Sequence, residues 1–165
     1  MSNLKVELNA NQISTNINSP VKLLVFEVGK LTLALPILQV QKVVKYSELH
    51  GSGLSYVNLT HLEQQEIAVV DLHQKLFNIS LSKAFPEDNH LGYFIISKII
   101  AGEHLGIMVN NPPSLIDVDP EKIRLIPDSY RRADTLEIAS HVTVIPQENQ
   151  TSVIIFILDL EQLIL

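Results

Sequence analysis

The chain has no cysteine, few basic residues and no long apolar run, and each absence excludes something. Without cysteine among its 165 residues, disulfides and thiol chemistry are ruled out, which fits a reducing cytosol. Twelve Lys and Arg stand against eighteen Asp and Glu, for a net charge of −6. That balance disfavours nucleic acid and anionic membrane as partners. No stretch reaches the roughly 18 apolar residues of a membrane span. The polar start, MSNLKVELNANQISTNINSP, has no apolar h-region, so no secretory signal is expected. In a cytoplasmic protein the sequons at Asn58, Asn78 and Asn149 carry no glycan. What the chain does have is apolar content, 46% against 18% charged, enough for a packed core.

Length and composition predict one domain over 21–165, or two small subdomains sharing a core. Residues 1–20 read as a flexible tail closed by Pro20. Residues 22–46, KLLVFEVGKLTLALPILQVQKVVKY, are the most informative stretch. Alternation at Leu24, Phe26 and Val28 predicts a strand. Gly29-Lys30 predicts a two-residue type II′ connection, because glycine accepts the positive φ this turn needs. Leu31, Leu33 and Leu35 return, and Pro36 stops the ladder because proline has no N–H. Val40, Val43 and Val44, interspersed with Gln39, Gln41, Lys42 and Lys45, predict a partly buried edge.

Further on, 47–55 reads as a loop, Glu66–Val70 as a short strand, and 78–90 as a loop. Strands are expected at Tyr93–Ile100, Leu105–Val109, Leu115–Val118 and His141–Ile145. Arg124–Tyr130 reads as irregular, and 146–152 as a polar turn. Val153–Leu158 is predicted to be central and buried on both faces, since exposed it would aggregate. IAVVDLHQKLF and VIIFILDLEQLIL echo each other: a strand, Asp-Leu, then a short helix capped by the Asp. Many short strands with turn signals predict a mainly β fold of small barrels.

Catalytic constellations are absent from the pattern. Asp71 with His73 reads as a helix cap followed by a first-turn residue. The remaining histidines stand singly, without metal-ligand spacing. Ser140-His141 lacks a G-x-S-x-G elbow. Gly51-Ser52-Gly53 lacks the lysine of a phosphate loop. Arg131-Arg132 reads as solvated charge. No metal or cofactor is expected.

The valine ladder reads differently. Strict alternation puts Val40 and Val44 on one face and Val43 on the other, so at least one is open either to a partner or to ordinary packing elsewhere. His61 and Leu62, at the tip of a lengthened connection, are either a solvated loop or a contact.

Taken in order, LLVFEVGKLTLALPILQVQKVV, EIAVVDLHQKL, HLGIMVNNPPSLIDV with IRLIP, and VIIFILDLEQLI resemble the CheW family of chemosensory adaptors and the CheW-like domain of its histidine kinase. The resemblance covers 22–165. It implies two five-stranded SH3-like β-barrels around a shared hydrophobic core, with short helices after the Asp-Leu motifs, and no enzymatic activity. It implies a non-catalytic signalling adaptor whose partners are a CheA-type histidine kinase, docked at a barrel end, and a chemoreceptor's cytoplasmic signalling tip. The pattern departs from the family in three places. The Asn-Leu-Arg-Gly turn is replaced by Asn58-Leu59 and a longer Thr60–Gln65 connection. The acidic residue usual after Val-Gln is Lys42. Gly-x-x-Val-Asp ends in Asn110. These departures imply a distinct cognate partner, and such divergent forms resemble those serving pilus-based motility or phototaxis. Val40, Lys42, Val43, Val44, His61, Leu62 and Asn110 are the expected partner contacts. The rivals are a small-molecule-binding or enzymatic barrel, and a detached regulatory domain acting as a decoy.

Overall fold

The computed structural model describes residues 19–54, 56–81, 92–98, 100, 102–131 and 137–163. Most of the expected tail, most of the 78–90 loop and Arg132 lie outside these residues. The chain divides into two compact units. One holds the residues up to Phe26, Lys30–Gln39 and everything from Pro113; the other holds Glu27–Gly29 and Val40–Pro112.

Each unit carries a six-stranded sheet, one strand more than the resemblance implied. The first sheet runs β10 (Ile123–Leu125), β11 (Ala139–Pro146), β12 (Ser152–Leu158), β2 (Leu31–Pro36), β1 (Val21–Val28), β9 (Ser114–Val118). The second runs, from its other end, β4 (His50–Leu54), β5 (Val57–Leu62), β6 (Gln65–Val70), β8 (Leu105–Val109), β7 (Tyr93–Ser97), β3 (Val40–Lys45). The two orders correspond strand for strand. In each, one parallel junction sits at the third and fourth places, β12 with β2 and β6 with β8. The chain therefore repeats one plan: a hairpin in one sheet, then three more strands and the Asp-Leu strand in the other. The Asp-Leu echo is the visible end of this duplication.

Local chemistry explains the elements. Gly29 takes φ 59°, while Lys30 keeps a negative φ, as the type II′ reading requires. β2 ends at Pro36, and a 3-10 turn, Ile37–Gln39, separates it from β3. Asp71 caps the helix α1 (Leu72–Phe77) by accepting from the Gln74 N–H at 3.0 Å. The same carboxylate accepts from the Leu81 N–H at 2.9 Å. Asp119 caps the 3-10 turn Pro120–Lys122 through the Glu121 N–H. A short helix α2 (Asp128–Arg131) follows, and α3 (Leu160–Leu163) comes after Asp159.

Each sheet curls about its own apolar cluster. Leu23, Ala34, Val118, Ile123, Ile155 and Ile157 form the first, and both edge strands contribute to it. Ile67, Val69, Phe94, Ile96 and Met108 form the second, with Val44, Tyr46, Leu49 and Leu62 packed against it. Fully burying each Leu, Ile or Phe stabilises by roughly 1.5–3 kcal/mol. Two buried threonines fasten the curl. In the second sheet the Thr60 hydroxyl donates to the Glu48 carbonyl at 2.9 Å and lies 2.8 Å from Ser47 Oγ. In the first, the Thr143 hydroxyl donates to the Lys122 carbonyl at 2.9 Å.

Four expectations need correction. The 47–55 loop contains β4, which pairs with β5. Thr60–Gln65 is not a loop: the ladder continues to Leu62 opposite Gln65, leaving only Glu63-Gln64 as the turn. Both turn residues have positive φ, 51° and 66°, a type I′ geometry without its usual Asn or Gly. Arg124–Tyr130 is partly regular, entering through β10 and leaving through α2. β12 is central, yet it is not buried on both faces: Ile154 is 52% exposed, directly opposite Val144 at 48%.

Candidate protein-docking corner

The expected contact residues fall mainly on β3 and the β5–β6 hairpin of the second sheet. β3 pairs with β7 from Lys45 opposite Tyr93 to Lys42 opposite Ile96, then slips so that Val40 faces Ser97. The extra residue, Gln41, is a β-bulge. The slip breaks the alternation assumed from sequence. Val40 falls in phase with Val43, and Val44 shares the opposite face with Lys42. Val44 packs on the Phe94 cluster, Val40 is buried at 8% exposure, and Val43 is open at 39%. Of the three valines, Val43 is the one presented to solvent.

Lys42 reaches across to the hairpin turn. Its Nζ donates to Glu63 Oε1 at 2.8 Å, and both groups meet water, the Glu63 side chain at 82% exposure. The hydrogen bond and the positive charge of Lys42 hold the Glu63 carboxyl below the usual glutamate range. This contact differs in kind from the Lys22–Asp117 pair of the first sheet. Those two are direct cross-strand partners, whereas β3 and the β5–β6 turn are not neighbours in the strand order.

Leu62 stands beside this pair and turns its side chain into the Phe94 cluster. His61 points outward, with Nε2 3.8 Å from Glu66 Oε2 and its ring 6.4 Å from that of His50. Two histidines that stood apart in sequence are thus adjacent in the sheet. Among the described residues no group of three or more His, Asp or Glu side chains is placed to hold a metal ion. Asn110 is not part of the corner. It follows Val109, in the Lys45–Tyr93 row, away from the Lys42–Ile96–Gly106 row. The structure brings Lys42 to the β5–β6 turn beside Leu62; Val43 and His61 lie on the opposite faces of their strands, Val40 and Val44 are set into packing, and Asn110 lies elsewhere.

Glu63 is the residue that sequence reasoning did not single out. A glutamate in a polar stretch carries no signal until the hairpin register is known. The Ser140 hydroxyl and His141 Nδ1 do share a 2.7 Å hydrogen bond, but His141 is only 2% exposed, within the first unit's interior. Nothing at the docking corner resembles a nucleophile with its base. It offers an exposed ion pair, one open valine and a histidine-bearing strand face, which suits binding.

Among the described residues no helix is long and apolar enough to cross a membrane. A family model for the CheW-like domain matches residues 22–165. No curated protein matches the chain. The fold is similar to that of the scaffolding protein TtCheW from Thermoanaerobacter tengcongensis, whose crystal structure aligns with a TM-score of 0.68 at 18% identity over 90% of each chain. Matched along nearly its whole length, the chain belongs to the CheW-like domain family.

Proposed function

We propose that this protein is a non-catalytic chemotaxis-type adaptor that couples a chemoreceptor-like protein to a CheA-type histidine kinase through the kinase's own CheW-like domain. The observation that carries the reading is the family match over 22–165; the exposed Lys42–Glu63 ion pair on the second sheet is compatible with a binding surface. The mechanism is geometric. Two small barrels present fixed surfaces, and a shift in receptor packing passes to the kinase as a change in how those surfaces are held.

The exposed apolar area on β3 is modest, with Val43 as its open aliphatic group. Single contacts of this size give micromolar affinity, and repetition in an array supplies the remainder through effective concentration. The test is direct binding, by calorimetry or interferometry, of the full chain to the CheW-like domain of the same organism's kinase and to a soluble receptor-tip fragment. Binding at tens of micromolar or better is expected for both. Binding to the kinase domain alone would favour a decoy, and binding to neither would end the adaptor reading.

A further inference from the structure

His50, His61 and Glu66 come from three successive strands, and the second sheet sets them in one row. His61 pairs directly with Glu66 across β5 and β6. His50 on β4 pairs with Leu59, two residues before His61 and in phase with it. The irregularity of β4 comes after Gly51, so it does not alter this phase. Residues in phase share a face. Ile67 and Val69 of β6 turn into the Phe94 cluster, so the row lies on the opposite face. All three side chains are exposed, His61 at 63% and Glu66 at 55%. The His50 and His61 rings stand 6.4 Å apart, edge to face, and His61 Nε2 lies 3.8 Å from Glu66 Oε2. Exposed contacts of this length add little to stability, so packing does not account for the row. Two imidazoles and a carboxylate are a donor set that zinc and its neighbours take.

We propose that His50, His61 and Glu66 form a binding site for a late divalent transition ion of the zinc class. Donors that share such an ion at about 2.0–2.2 Å lie about 3.3 Å from one another, and two imidazoles on it have ring centres about 5 Å apart. The His61–Glu66 contact is within about 0.5 Å of that spacing, and the two rings within about 1.5 Å. As they stand the three groups are not gathered tightly enough to hold an ion. Rotation of their side chains closes the difference, because all three are exposed. Water completes the coordination. Imidazole nitrogens select zinc and its neighbours over magnesium and calcium, which are hard ions that take oxygen. The bound ion ties β4 to β5 and β6, and β4 is the edge strand whose register breaks between Gly51 and Leu54. Such an ion binds whether or not the protein is an adaptor.

The test is calorimetric titration of the full, tag-free chain with zinc chloride, with magnesium chloride as the control. A single zinc site with a Kd of about 10 µM or tighter is expected, and no binding of magnesium. His50→Ala and His61→Ala are each expected to weaken zinc binding about tenfold or more, and Glu66→Gln about threefold or more. His104, whose Nδ1 donates to the Ser97 carbonyl at 2.7 Å, stands outside the row, and His104→Ala is expected to leave zinc affinity unchanged. The native chain supplies a second measurement that needs no variant to fold. In an NMR titration zinc is expected to shift the ring signals of His50 and His61 together and those of no other histidine. Three results would each overturn the inference: no binding at about 100 µM zinc, affinity that survives either histidine substitution, or shifts confined to one of the two rings.

Discussion

Thr60 and Thr143 occupy the same place in the two sheets. Thr60 stands opposite Ile67, and Thr143 opposite Ile155, each on the strand next to the Asp-Leu strand. Each is buried, and each hydroxyl donates to a carbonyl just ahead of the outermost strand. The backbone repeats the match: Asp71 N–H donates to the Tyr56 carbonyl, and Asp159 N–H to the Ile138 carbonyl. Replacing either threonine by valine keeps the shape and deletes the donor. Thr143→Val is expected to cost about 1 kcal/mol, and Thr60→Val about 1–2 kcal/mol, because Thr60 also meets Ser47. Chemical denaturation of both variants checks the order, and equal stability to the native chain would refute the fastening role.

The two Asp-Leu aspartates look alike in sequence and differ in what they hold. Asp71 is 3% exposed and accepts two backbone N–H bonds, from Gln74 and Leu81. Asp159 accepts from Glu161 N–H at 3.2 Å in a more open setting. Asp71→Ala orphans a buried N–H as well as losing the cap, so it is expected to destabilise by about 2–3 kcal/mol. Asp159→Ala is expected to cost about 1 kcal/mol or less. Denaturation midpoints compare the two directly, and a larger loss at position 159 would contradict the structure.

Much of this architecture is legible in the residues. The β1–β2 hairpin is readable because glycine and proline mark its turn and its stop, and both act through local sterics. The Asp-Leu motifs mark two strand-to-helix junctions for the same reason. The β5–β6 hairpin is not readable, because Glu63 and Gln64 take positive φ without any residue that favours it. Parity along β3 fails at Gln41 because a bulge is decided by pairing with β7, not by β3 itself. The open faces of Ile154 and Val144 are hidden for a similar reason: an apolar run tells of burial in general, not of which face another element covers. At the docking corner, Lys42, Val43 and His61 stand out by composition, whereas Glu63 becomes visible only when the register brings it to Lys42.

The Lys42–Glu63 contact carries its own pH signature. Lys42 favours the ionised Glu63, so the folded-state pKa lies below that of the unfolded chain. The small stabilisation from the pair is therefore complete above the ordinary glutamate range and disappears as pH falls through the depressed folded value. In a carboxyl-detected NMR titration Glu63 is expected to protonate at lower pH than the ordinary glutamate range, and Lys42→Ala is expected to return it to that range. A Glu63 titration unchanged by Lys42→Ala would mean the two groups do not meet in solution.

Gly92 opens β7 at a point where only glycine fits. Its φ is 95°, in a region that side chains rarely adopt. A Cβ built there would stand 2.3 Å from the Val109 carbonyl oxygen, a backbone atom in the paired strand β8, which has no flexible end to swing aside. The Gly92 carbonyl also accepts the Tyr46 N–H at 3.0 Å, so displacing this residue disturbs the exit of β3 as well. Gly92→Ala combines left-handed strain with a backbone collision, and a loss of about 3 kcal/mol or more is expected. Gly51, where a Cβ meets nothing within 4 Å, provides the control: Gly51→Ala is expected to change stability by less than about 0.5 kcal/mol. Thermal unfolding of the two variants side by side separates a steric requirement at position 92 from a general intolerance of alanine for glycine in this sheet. Equal midpoints would remove the steric account.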